Sequence, residues 1–172
     1  MDNEGVFTKE FIKNACFRLD ESLRMVRLSL AKISEEQLWQ KPNASLNSIG
    51  NLILHLCGNL KQYGIASLRG LEDLRERDAE FAITGGLSKE VLIEKLATIV
   101  EEVKHTFTIL DSYRWVAVER VQGFELSGVG NAIHAVEHFS YHTGQIAFWV
   151  KLLNNEQLGF YDGVDLNILN DE

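Results

Sequence analysis

Apolar residues recur at every third or fourth position through four long stretches of the chain, a spacing that predicts four amphipathic helices. The first covers about residues 8–33, where Phe11, Ala15, Leu19, Leu23, Val26, Leu30 and Ile33 share a face. The second starts near residues 46–48 and runs to about residue 68. Asn47 or Ser48 can cap its start, and Gly70 follows its end. The third covers about residues 88–110. Ser88 is its expected N-cap, after the Gly85-Gly86 turn, and Leu87 is placed to staple against Leu92. The fourth covers about residues 127–153 and ends at Asn154 and Asn155.

The intervening segments are short. Residues 34–44 read as a polar link, and residues 72–80 as a connector of mixed charge. In residues 115–126, Trp115, Ala117, Glu119 and Val121 alternate with Val116, Val118 and Arg120, which predicts extended chain. The tail, residues 158–172, has two glycines and little periodicity, and reads as a loop packed back on the body. The sequence contains no internal repeat, low-complexity tract or linker. The pattern therefore predicts an all-α four-helix bundle forming one domain over residues 1–172.

Charge narrows the partners. A net charge of −8 without a basic cluster argues against nucleic acid and against an anionic membrane surface. No apolar run approaches the roughly 20 residues of a membrane span. The first five residues are acidic and polar and do not read as a secretory signal. Cys16 and Cys57 lie far apart in apolar surroundings and read as free thiols in a reducing cytoplasm.

The chemistry concentrates in the fourth helix. Across residues 126–150 Glu137 is the only charged residue, yet the run holds His134, His138 and His142. Successive members of this trio are about 40° apart around a helix, so the three imidazoles form one stripe. Core histidines bonded to backbone and ligands of a metal ion both explain such a stripe, and the pattern alone leaves the two level. A metal site needs at least three protein ligands. His134 and His142 are separated by about 12 Å along the helix axis, too far for one ion. A facing helix is the better source, and His55 is its candidate. Residues 43–60 carry no formal charge, and the His55 face holds Ser48, Asn51, Asn59 and Gln62. Such a stripe suits the lining of a wet cavity, though an exposed polar face would read the same way.

Other motifs are absent or bland. There is no His-Glu-x-x-His, phosphate-binding glycine loop, paired-cysteine zinc motif or Gly-x-Ser-x-Gly elbow. Glu102 and His105 have the Glu-x-x-His spacing of di-iron bundles, but the other ligands of that set are missing, so His105 reads as a surface residue. Gly128 and Gly130 read as positions of close packing at a helix start. Trp115, Phe139, Tyr141, Phe148 and Trp149 read mostly as core, with the Tyr141 hydroxyl able to line a pocket. No carboxylate base is evident beside the histidines, since Glu137 lies about 100° from His138.

The string HAVEHFSYHTGQIAFWVK, residues 134–151, resembles the last bundle helix of the DinB/YfiT-like family, and residues 51–59 resemble its second. The resemblance extends over almost the whole chain. It implies an up-down-down-up four-helix bundle and a divalent metal, most often nickel or zinc, held by His55, His138 and His142. It places His134 behind the ligands, with Asn51, Asn59, Tyr141 and Gln145 as pocket or supporting residues. Where some relatives carry a histidine just before the last ligand, this chain has Tyr141. Related proteins include transferases that use small thiols such as bacillithiol or mycothiol, and many form homodimers. The expected function is therefore a metal-dependent transferase joining a small-molecule thiol to an electrophile. A metal-dependent hydrolase and a non-catalytic metal-binding dimer are the alternatives. No catalytic residue is assigned.

Overall fold

The computed structural model describes residues 3–169, with backbone alone for residues 3 and 4. Met1, Asp2 and the last three residues of the tail lie outside the described residues. The elements in chain order are α1 (Asn3–Leu30), α2 (Glu35–Trp39), α3 (Ile49–Lys61), a π-helical turn (Gln62–Ala66), α4 (Ser67–Arg69), α5 (Arg77–Ala82), α6 (Lys89–Ile109), α7 (Ser112–Val116), β1 (Val118–Val121), β2 (Phe124–Ser127) and α8 (Gly128–Asn154).

Helices α1, α3, α6 and α8 form the bundle. Each packs on two neighbours: α1 on α6 and α8, and α3 on α6 and α8. Their shared interior is apolar, built on Leu19, Val26, Leu30, Leu56, Leu60, Phe107, Phe139 and Ile146, all fully buried. The architecture is all-α apart from one hairpin. Among the described residues no helix is long and apolar enough to cross a membrane.

Serine side chains begin three of the four long helices. Ser48, Ser88 and Ser127 accept from the backbone N–H groups of Asn51, Val91 and Gly130, which would otherwise lack an intrahelical partner. Left-handed residues end two helices. Gly70 (φ 65°) closes α4 with Gly70 N donating to Ser67 O and Leu71 N to Ala66 O, a Schellman motif. Asn155 (φ 51°) ends α8.

The structure departs from the sequence pattern in the short segments. Residues 34–44 contain a helical turn, α2, because Ser34 and Gln37 form a reciprocal capping box. The extended reading of residues 115–126 holds from Val118 onward, where β1 and β2 pair antiparallel, with Val121 opposite Phe124. Gln122 and Gly123 both take positive φ, as a two-residue hairpin turn demands. Trp115 and Val116 instead complete α7. The second long helix is not uniform either: one π-helical turn interrupts it, and Gly64 packs there where a Cβ would sit 2.8 Å from Val103 Cγ2.

Burial and contacts decide several single residues. His105 is exposed, and Cys16 and Cys57 are free. A Cβ on Gly128 would lie 2.2 Å from the Arg114 carbonyl oxygen, so close packing explains that glycine. Trp115, Phe139 and Trp149 are buried, whereas Tyr141 and Phe148 are 61% and 71% exposed and do not belong to the core. They lie on the outer face of α8, where the bundle interior is already filled. Within the described tail, Leu158 is buried and Arg24 Nη1 donates to Phe160 O, so residues 158–160 pack back on the body, whereas residues 161–169 are exposed and do not.

Candidate metal centre

Helices α3 and α8 lie side by side, and their facing polar stripes meet. His55 comes from the middle of α3, and His138 and His142 from consecutive turns of α8. One ring nitrogen of each lies within 4.8 Å of the others. The nearest approach is His138 Nε2 to His55 Nε2, at 2.9 Å. Tetrahedral zinc with Zn–N bonds of 2.0–2.1 Å sets its nitrogens about 3.3 Å apart, within the range this cluster spans.

The surroundings hold the rings in their neutral form. Burial pushes all four stripe histidines below the ordinary imidazole range. His138 is lowered furthest, to about 3, by burial first and then by His142, His55 and His134. Neutral rings keep a lone pair, which ligation requires. Outer groups engage two of the rings. His142 Nδ1 donates to Gln145 Oε1 at 2.7 Å, which leaves Nε2 unprotonated. His55 Nδ1 lies 3.0 Å from Glu80 Oε2. The three-histidine group can therefore hold a metal ion.

A carboxylate that the sequence pattern does not single out, Glu80, stands beside His55. It comes from α5, within the segment that reads as a solvated connector. Its side chain is 10% exposed and forms a two-pronged pair with Arg75, itself 5% exposed. Arg75 Nε donates to Glu80 Oε1 at 2.7 Å and Nη2 to Oε2 at 2.9 Å. Nη2 also lies 3.0 Å from His55 Nδ1. Nη1 donates to Gln62 Oε1, whose amide in turn donates to Asp73. Phe81, the next residue of α5, packs on the His55 ring at 5.0 Å. The one trace of this arrangement in the sequence is Gly58, where a Cβ would lie 1.8 Å from Glu80 Oε1.

The supporting residues take distinct places. Asn51 is fully buried and works on backbone. Its Oδ1 accepts from Ser48 N and Oγ, and its Nδ2 donates to the carbonyls of Glu80 and Ile83, which ties α5 to α3. Asn59 Nδ2 lies 3.2 Å from His134 Nε2. Asn59 Oδ1 is buried without a hydrogen-bond partner among the described residues. The His134 ring lies 5.4 Å from that of His138 and 3.9 Å from that of Tyr63, outside the group of three. Tyr141 stands edge-on to His142 at 5.0 Å, and Glu137 is exposed. The polar stripe of α3 is thus buried and cross-linked, which excludes the exposed-face reading.

A cavity of about 550 Å³ opens beside this centre, between α3, α6 and residues 71–83. Leu54, Cys57, Ile65 and Ile99 supply apolar lining, and Arg75 and Glu80 belong to its wall.

A family model described as a protein of unknown function, DUF1572, matches residues 6–161. Among solved structures, a conserved protein from Enterococcus faecalis is similar over 84% of this chain and 97% of its own, with a TM-score of 0.70 and 16% identity. A DinB-like protein, YjoA, from Bacillus subtilis is similar over 86% of this chain and 93% of its own, with a TM-score of 0.62 and 16% identity. At that identity they establish a shared DinB-like fold. A search of curated proteins returns no match.

Proposed function

The chain belongs to the DUF1572 family, and from its histidine cluster we propose that it is a metal-dependent transferase that joins a small-molecule thiol to an electrophile. The observation that carries this reading is the convergence of His55, His138 and His142 nitrogens from two facing helices, with Glu80 and Gln145 engaging the outer nitrogens of two rings. In this reading those three histidines are the ligands, and nickel or zinc is the expected metal. Such an ion, when bound, lowers the pKa of a thiol that ligates it, so that the nucleophilic thiolate exists near neutral pH.

The transfer forms a sulfur–carbon bond, expels the leaving group with its bonding pair and releases the thiol proton to solvent. The protein's own cysteines do not suit the role of nucleophile. Burial raises Cys57 to about 12 and also raises Cys16. In this reading the thiol arrives as a substrate. Glu80 is held at both oxygens by Arg75 and so is poorly placed as a general base, which favours thiol transfer over hydrolysis. We place the protein in the cytoplasm, a compartment in keeping with its two free cysteines.

Metal analysis of the purified protein and of His55→Ala, His138→Ala and His142→Ala tests the centre, and full retention in all three variants would sink it. Conjugation of monobromobimane to a panel of small thiols tests the reaction. It should proceed faster with metal-loaded protein than with stripped protein. Equal rates with every thiol would leave the metal-dependent hydrolase and the non-catalytic metal-binding bundle.

A further inference from the structure

The His55 ring has two possible partners at Nδ1, both 3.0 Å away: the Glu80 carboxylate, which can only accept, and the Arg75 guanidinium, which can only donate. A neutral imidazole cannot satisfy both. If Nδ1 carries the proton, it donates to Glu80, and Nε2 is a bare lone pair 2.9 Å from His138 Nε2, able to accept from that ring or to ligate a cation. If Nδ1 is bare, it accepts from Arg75, and Nε2 carries the proton and cannot ligate a cation. The choice between these neighbours decides whether His55 can belong to a metal site.

We propose that Glu80 is a positioning residue that fixes His55 in its Nδ1–H tautomer, and that Arg75 holds the carboxylate in place while offering the competing donor. This rests on the three-histidine reading above. The local construction fits it. Arg75 occupies both carboxylate oxygens, so Glu80 cannot swing away from the ring. Asn51 pins the backbone at Glu80 and Ile83, and Gly58 leaves the space the carboxylate fills. A carboxylate accepting from the outer nitrogen of a ligand histidine also strengthens that ligand.

Substitution at the pair gives a pattern that a merely structural role would not. In Glu80→Gln the new amide keeps the volume. Arg75 claims its oxygen, so its NH₂ faces His55 Nδ1 and drives the ring to the Nε2–H tautomer. Zinc affinity, measured by competition with a chromophoric chelator, should fall about 10- to 100-fold. In Arg75→Met/Glu80→Gln the amide can turn its oxygen to Nδ1–H. Affinity should recover several-fold over the single variant, although more of the native pair has been removed. Wild-type affinity in Glu80→Gln, or no recovery in the double variant, would overturn the proposal. Nitrogen-15 spectra of the His55 ring in metal-free protein give an independent reading. They should show Nδ1–H in the wild type and Nε2–H in Glu80→Gln, and an unchanged tautomer would also overturn it. Absence of zinc binding by the wild type, with the tautomer switch intact, would count against the metal reading and leave the role of Glu80 standing.

Discussion

Gly58 and Glu80 are complementary: the Glu80 carboxylate fills the space that a side chain at residue 58 would take. An added Cβ would lie 1.8 Å from Glu80 Oε1 and 2.8 Å from Arg75 Nε. Gly58 sits one helical turn after His55 on α3, so the fit between the two residues sets how closely α5 approaches the histidine.

Gly58→Ala therefore sets two effects against each other. Alanine should gain about 0.5–1 kcal/mol in a helix interior. Overpacking against a pinned carboxylate costs about 1–3 kcal/mol. The expected net result is a lower melting temperature together with weaker zinc retention. Gly144→Ala, measured in the monomeric Phe148→Asp background, is the control, since a Cβ there meets nothing within 4 Å of the same chain, and it should raise stability slightly. Equal shifts in both variants would contradict the packing argument.

Gln145→Ala should weaken metal binding with little change in folding. Gln145 is only half-buried, and its bond to His142 Nδ1 is the interaction lost. A drop on the order of tenfold in zinc affinity is expected, with the denaturation midpoint nearly unmoved. Unchanged affinity would remove Gln145 from the centre.

Metal-free protein should lose stability in acid from about pH 6.5 downward. Burial lowers His55, His134, His138 and His142 in the folded state, and His138 reaches about 3. The unfolded chain then binds more protons between the unfolded value near 6.5 and the folded values, so stability rises with pH through that window and levels off above it. Urea midpoints measured from pH 7.5 to pH 4 test this. A flat profile, or one that rises toward acid, would contradict it. Bound metal should also be released over the same window, because a protonated ring cannot ligate.

The outer face of α8 presents Tyr141, Phe148 and Leu152, each more than 60% exposed, beside the bare backbone of Gly144. We propose that a second copy of the chain covers this face. Sedimentation should give a dimer for the wild type and a monomer for Phe148→Asp. A wild-type monomer at micromolar concentration would end that proposal.

Much of the bundle is legible in the amino-acid sequence, because helix periodicity and serine caps are local signals. Ser48, Ser88 and Ser127 mark three helix starts, and Gly70 and Asn155 mark two ends. The short helix at Glu35–Trp39 is not legible, because five residues give too little periodicity. Its capping box is the one local cue. The π-helical turn leaves no pattern in the sequence, since the packing of Gly64 against Val103 is a contact between helices.

The sequence by itself determined the all-α class, the histidine stripe of α8 and the uncharged stripe of α3 that contains His55. Each is a periodicity within one element, written by side-chain chemistry at fixed spacing. Tertiary structure brought these stripes face to face, and it alone decided that the side chains of Arg75 and Glu80 are nearly buried beside His55. In the chain, those last two residues stand in a mixed-charge run indistinguishable from a solvated connector. Their burial comes from pairing with each other and with a ring on another helix, and a low-dielectric interior tolerates such charges only when every partner is already in place.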